Sequence, residues 1–83
     1  MKVVLTRSAE KDLSKLDLFT RKRILSELLS LETSLIGKDI KKLKGIDDTW
    51  RLRVGDYRII IEIYQGKAII LALRVRHRRE VYR

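Results

Sequence analysis

The spacing of apolar residues changes halfway along the chain. The run Val3–Val4–Leu5 predicts a short strand over residues 2–5. Apolar positions then recur every three or four residues, which is the period of an amphipathic helix. These helical positions are Ala9, Leu13, Leu16, Ile24, Leu25, Leu28, Leu31 and Leu35. From Trp50 onwards the apolar residues alternate with polar ones, which predicts strands.

The predicted helices form a hairpin. Thr6 or Ser8 can cap the first helix and Asp17 the second, because their side-chain oxygens accept hydrogen bonds from free backbone N–H groups. Gly37 follows the periodic run and is the predicted C-cap of the second helix. Strands are predicted over residues 50–54, 57–63 and 67–75, and Gly55-Asp56 forms a two-residue type II′ turn between the first two. We expect one α+β domain over residues 1–83. Its order is β-α-α-β-β-β, with an N-terminal strand, a helical hairpin and a three-stranded antiparallel meander in one sheet, helices on one face.

The turn determines the register of the first hairpin. Val54 then pairs with Tyr57, and Arg53 lies directly opposite Arg58, on the face away from the apolar residues. Like charges placed opposite each other destabilise a sheet. Either a bound anion or spreading into solvent can relieve this repulsion. The face that carries Arg51, Arg53 and Arg58 is called the arginine face below.

The last strand is apolar on both sides, which predicts an interior position in the sheet. Ile69, Leu71, Leu73 and Val75 are expected on the arginine face, where they form an apolar strip beside the charges. A partner protein, the C-terminal tail or a second copy of the chain could cover this strip.

Net charge and residue composition limit the classes of partner and site that this protein can have. The chain carries 20 Lys+Arg against 11 Asp+Glu, a net charge of +9, so a polyanionic partner is expected. There is no cysteine and one histidine, which excludes disulfides and zinc fingers and leaves no metal cluster or cofactor to expect. No apolar stretch approaches the ~20 residues of a membrane span, and no signal peptide opens the chain. The default expectation is a cytoplasmic protein without membrane contact.

The C-terminal residues 76–83 combine phosphate ligands, one imidazole and one aromatic ring. Such a mixture is typical of segments that hold single-stranded RNA. Its members are Arg76, His77, Arg78, Arg79, Glu80, Val81, Tyr82 and Arg83.

The ordered set of these features resembles the RelE/ParE toxin superfamily. The similarity is carried by Leu43-Lys44-Gly45, by residues 50–54, by Asp56-Tyr57-Arg58-Ile59 and by the ending at residues 77–83. The resemblance implies a toxin of a type II toxin–antitoxin system that a cognate antitoxin neutralises, in higher-order complexes. RelE-like members cleave mRNA in the ribosomal A site, whereas ParE-like members block DNA gyrase.

Site residues follow from the same resemblance. Arg58 corresponds to the arginine that steadies the scissile phosphate and Arg78 to a second phosphate or leaving-group contact. Tyr82 corresponds to a tyrosine that stacks on an mRNA base, and Lys44 to a basic residue that grips the RNA backbone. Arg51 and Arg53 stand where well-known RelE toxins carry lysines. With Arg76, Arg79 and Arg83, these residues make up the expected RNA-binding surface.

The exchange of lysine for arginine removes the usual general base, because arginine stays protonated. His77 is the natural replacement acid or base, and Glu62 and Glu80 are carboxylate alternatives. The expected function is a metal-independent, ribosome-dependent mRNA endoribonuclease. The alternatives are a ParE-like gyrase inhibitor without nuclease activity and a basic nucleic-acid-binding module.

Overall fold

One mixed sheet organises the protein. The computed structural model describes residues 1–43 and 48–81. The elements in chain order are β1 Lys2–Leu5, α1 Arg7–Ser14, α2 Leu18–Ser30, β2 Ile40–Lys42, β3 Thr49–Val54, β4 Tyr57–Tyr64, a 3₁₀ turn Gln65–Lys67, β5 Ile69–His77 and α3 Arg78–Val81. The predicted α+β order is confirmed, with β2 and α3 as additions.

The spatial order of the strands is β1-β5-β4-β3-β2. β1 runs parallel to β5, and the remaining neighbours are antiparallel. The predicted interior position of β5 is confirmed, because β1 and β4 flank it. β2 was not predicted, because its three residues are too short to show an alternating pattern. It pairs with β3 and places Lys41 opposite Arg51.

Both predicted helix N-caps are confirmed. The Thr6 side chain accepts the N–H of Ala9, and the Asp17 side chain accepts the N–H of Thr20. The prediction of Gly37 as a C-cap is wrong, because α2 ends at Ser30 with Leu31 as its cap. Tertiary contacts end the helix early: Leu31 is buried in the core, and a Glu32 carboxylate oxygen accepts the Val3 N–H at 2.7 Å.

The β3–β4 register is as predicted, with Val54 opposite Tyr57 and Arg53 opposite Arg58. Gly55 has φ of 59° and is the turn residue with a positive φ, as a type II′ turn requires.

The last strand differs from its prediction in two ways. It covers Ile69–His77 instead of residues 67–75, because the chain first makes a 3₁₀ turn and passes through Ala68 with φ of 55°. The register against β4 also shifts between Ile60 and Ile61, so Leu73 is an extra residue. This bulge reverses the alternation, and Val75 is buried in the core instead of joining the apolar strip.

The core lies between the helices and one face of the sheet. Its fully buried large side chains are Ile24 and Leu28 from α2 and Leu52, Ile59, Ile61 and Ile70 from the sheet. None of the helices in residues 1–43 and 48–81 is long and apolar enough to cross a membrane.

Candidate nucleic-acid interface

A row of three arginines crosses the arginine face. Arg53 pairs with Arg58, and Arg58 pairs with Arg76 on the next strand. The sequence predicted the first pair. Arg76 completes the row because the bulge at Leu73 reverses the alternation in β5. Adjacent guanidinium groups repel one another, so a face built this way favours an anionic ligand.

A pocket of about 200 Å³ opens at the end of this row and is called the arginine pocket. Its lining residues come from the β3–β4 hairpin and from the first residue of α3: Arg53, Gly55, Asp56, Tyr57, Arg58 and Arg78. Arg78 is held there because its backbone N–H donates to the Asp56 carbonyl oxygen at 2.7 Å. The structure therefore brings together Arg53, Arg58 and Arg78 from the predicted site.

Two other arginines near the face are engaged in ion pairs. Arg51 Nη1 lies 3.3 Å from Asp39 Oδ1, and Arg74 Nε lies 2.9 Å from Asp12 Oδ2. The Asp12 carboxylate also accepts the Val75 N–H at 2.9 Å. Burial alone would raise the pKa of Asp12, but the hydrogen bonds from Arg74 and Val75, with the charges of Arg74 and Arg76, outweigh it and lower that pKa.

His77 points away from the arginine row. It pairs with Tyr57, whose ring packs against the core and contacts the imidazole edge-to-face at a centroid distance of 5.1 Å. Its Nδ1 accepts the Arg79 N–H at 3.2 Å, which caps the start of α3. His77 thus lies on the helix side of the sheet, while Arg58 and Arg76 lie on the other. Its catalytic role stays a prediction.

Glu62 lies on the arginine face, as expected, but away from the pocket. Its carboxylate accepts a hydrogen bond from the Tyr64 hydroxyl at 2.7 Å, and this bond, with some desolvation, raises the pKa of Tyr64. Glu62 lies four positions after Arg58 on β4, a distance of about 13 Å along an extended strand. Glu62 is therefore distant from the arginine pocket. The side chain of Glu80, the other carboxylate alternative from the sequence, lies outside the described part of the structure.

Of the remaining predicted residues, Arg79 lies within the described part of the structure. Arg79 is exposed on α3 and borders a second cavity together with Asp56, His77 and Arg78. Lys44, Tyr82 and Arg83 lie outside the described residues. Within residues 1–43 and 48–81, no three His, Asp or Glu side chains form a group that could hold a metal ion.

Sequence reasoning missed two contributors to the site. Lys41 joins Arg51 through the unpredicted strand β2. Asp56 was interpreted only as a turn residue, yet it lines the arginine pocket, and its Oδ1 lies 3.8 Å from Arg78 Nη1. The signal was present in the sequence, because a carboxylate in a two-residue turn lies beside whatever the adjoining strand residues carry.

Comparison with known families defines the class of this protein. Residues 3–82 match the sequence model of a family described as "ParE toxin of type II toxin-antitoxin system, parDE". The match covers nearly the whole chain, so the protein belongs to this toxin family. The resemblance drawn from the sequence is confirmed.

Individual relatives are RelE toxins. The chain is 42% identical to Toxin RelE3 of Methanocaldococcus jannaschii over 99% of its own length and 96% of that protein. A RelB–RelE antitoxin–toxin complex from Methanococcus jannaschii contains a chain with a TM-score of 0.77 and 34% identity, covering 95% of this chain and 94% of that one. The RelE–RelB complex from Pyrococcus horikoshii gives a TM-score of 0.80 at 28% identity, covering 93% of each chain. These relatives support a RelE-type toxin.

Proposed function

We propose that this toxin is a RelE-type endoribonuclease that cleaves mRNA on the ribosome in the cytoplasm without a metal ion. The observation that carries the proposal is the arginine pocket, where Arg53, Arg58 and Arg78 line one space of about 200 Å³. Guanidinium groups match phosphate oxygens in geometry and charge. Three of them around one phosphate can bind it and can stabilise its additional charge in the transition state.

The chemistry needs the ribose 2′-oxygen to attack the neighbouring phosphorus while the 5′-oxygen leaves. Arg58 is central in the row, between Arg53 and Arg76, so it is the residue we assign to the nonbridging phosphate oxygens. Arg78 enters the pocket from α3 and is assigned to the phosphate or the leaving group. Lys44 and Tyr82 remain the proposed contacts for RNA backbone and base.

We propose a cognate antitoxin as the second partner, which holds the toxin inactive in a higher-order complex. The support is twofold. The structural relatives include toxins solved together with a RelB antitoxin. The arginine face also carries apolar side chains beside its charges, because Ile60, Ile69 and Leu71 lie on the side away from the core. An antitoxin segment with acidic and apolar residues fits such a surface.

A ParE-like gyrase inhibitor is the second candidate. The family model that matches is described as a ParE toxin, and arginines occupy the two usual lysine positions, 51 and 53. The two functions differ in their target, so one experiment separates them.

The test is ribosome-dependent cleavage of a defined message by the purified toxin, its Arg58→Ala variant and an Arg7→Ala control. Arg7 is exposed on α1 and lies outside the arginine pocket. Loss of one donor to a developing charge lowers a rate about 100- to 1,000-fold, so Arg58→Ala should lose most cleavage while Arg7→Ala keeps it. Intact mRNA with wild-type toxin, together with inhibited DNA supercoiling, would contradict the nuclease and support the gyrase inhibitor.

A further inference from the structure

We propose that Asp56 is the general base of the RNA cleavage, the group that removes the proton from the 2′-hydroxyl. The inference rests on the proposed function and adds a residue that neither the resemblance nor the relatives supply. It supplies a proton acceptor that Arg51 and Arg53 cannot provide, because arginine stays protonated.

The first argument is placement. Asp56 lines the arginine pocket beside Arg53, Arg58 and Arg78, and it borders the adjoining cavity as well. Its side chain is 67% exposed, so an incoming ribose can reach it. Its closest ion-pair partner, Arg78 Nη1, lies 3.8 Å from Oδ1, beyond hydrogen-bonding distance. The carboxylate oxygens are thus accessible to a substrate hydroxyl.

The second argument is that the competing groups lie elsewhere. Glu62 is engaged with the Tyr64 hydroxyl, about 13 Å along the strand from Arg58. His77 borders the adjoining cavity but does not line the arginine pocket, and its Nδ1 already accepts the Arg79 N–H. Among the described residues, Asp56 supplies the carboxylate that lines the arginine pocket.

The third argument is rigidity. Asp56 is the second residue of a type II′ turn, and its carbonyl oxygen accepts the Arg78 N–H at 2.7 Å. These backbone features fix the position of the Asp56 backbone next to Arg78, the first residue of α3. They do not depend on the side chain, so an Asn substitution keeps the turn and the Arg78 contact.

The proposed step balances as follows. An ionised Asp56 oxygen takes the proton of the 2′-hydroxyl as the O2′–P bond forms. The P–O5′ bond then breaks, and the 5′-oxygen takes a proton from solvent water. The products are a 2′,3′-cyclic phosphate and a free 5′-hydroxyl, and Asp56 returns its proton to water. Arg53, Arg58 and Arg78 stabilise the negative charge that accumulates on the nonbridging phosphate oxygens. Their three positive charges also outweigh the single negative charge of the nearby carboxylate, so phosphate can still bind.

The experiment compares Asp56→Asn with Asp39→Asn in single-turnover cleavage on the ribosome. Asp39 is the matched control, since it is also an exposed aspartate paired with an arginine, but outside the pocket. A general base contributes typically 100- to 10,000-fold, so Asp56→Asn should slow cleavage at least about 100-fold and Asp39→Asn less than about threefold. Asp56→Glu, which restores a carboxylate, should recover part of the rate.

Binding to a message with a 2′-deoxynucleotide at the cleavage position separates a base from a residue that only supports the pocket. Asp56→Asn removes a negative charge beside the phosphate, so it should bind this uncleavable message at least as tightly as wild type. Weaker binding that accounts for the lost rate would overturn the assignment, as would cleavage by Asp56→Asn within about threefold of wild type. In that case loss of cleavage in Glu80→Gln or His77→Gln would identify the base. Arg58→Ala in the same series reports separately on the proposed function, and a wild-type toxin without cleavage would overturn both.

Discussion

The Asp12 side chain satisfies a backbone N–H of β5 beyond the point where β1 ends. β1 ends at Leu5, opposite Ala72, so among the described residues the rest of β5 has no strand neighbour on that side. Asp12 on α1 takes the place of a neighbouring strand, because its carboxylate accepts the N–H of Val75 and pairs with Arg74. A backbone N–H that would otherwise lie at an open edge is therefore satisfied.

Replacing Asp12 by Asn should lower the free energy of unfolding by about 1 kcal/mol at neutral pH, since charge-assisted hydrogen bonds become neutral ones. The pKa of Asp12 is lower in the folded protein, so the unfolded chain binds its proton more readily. The stabilisation is thus complete above the ordinary aspartate pKa of about 3.9 and is lost as pH falls through the folded value. Urea unfolding of wild type and Asp12→Asn from neutral to acid pH should show the difference vanishing in acid. A difference of equal size in the Glu10→Gln control, on the exposed side of the same helix, would contradict this explanation.

Residue roles were predictable only where sequence neighbours stay neighbours in space. Arg53 and Arg58 could be paired because a two-residue turn separates their strands. Asp56 and Arg78 were not connected, since their contact spans the whole of β4 and β5. His77 was named as a candidate acid or base from its residue type alone, and its strand pairing and its contact with Tyr57 became known only from the structure.

Among the structural elements, the β3–β4 turn positions most residues that line the arginine pocket. Gly55 there has φ of 59°, and a Cβ at this position would meet Arg23 Nη1 of α2 at 3.0 Å. The left-handed conformation is unfavourable for residues with a Cβ. The turn therefore requires glycine for its backbone, and the flexible Arg23 side chain adds a smaller steric demand.

Gly55→Ala should lower the free energy of unfolding by about 1–2 kcal/mol, the cost of a left-handed residue with a Cβ. Gly66→Ala is the matched control, because Gly66 has no positive φ and nothing within 4 Å of a built Cβ. Thermal unfolding of both variants measures the contrast. Equal melting temperatures for the two variants would show that the turn tolerates a side chain.

The whole molecule combines a net charge of +9 with a sheet face that, in the described residues, lies away from the core packed by α1 and α2. Opposite charge on a partner accelerates diffusional encounter, and salt screens this attraction. We expect the association rate with an acidic antitoxin to fall about tenfold or more between about 50 and about 500 mM salt. Stopped-flow mixing of toxin and antitoxin measures it, with dissociation followed separately. An association rate independent of salt would argue that the partner docks away from the arginine face.

Local periodicity and local turn chemistry were sufficient to predict several features of this protein. The helical hairpin, both helix N-caps, the β3–β4 register and the placement of Arg53 opposite Arg58 all depend on residues close together in the chain. Composition likewise pointed to an anionic partner, because net charge does not depend on folding.

Other features depend on contacts between segments that are distant in the chain, so they became visible only in the folded structure. Because of the bulge at Leu73, Val75 lies in the core and Arg76 lies in the arginine row. The local sequence pattern does not predict this shift in strand register. Leu31 and Glu32 end α2 through contacts with the core and β1, which overrides a helical period that continues to Leu35. Asp56 and Arg78 meet because two long strands return the chain to the same turn. Burial and strand pairing are properties of the whole packed molecule, so they settle which face and which neighbours each residue has.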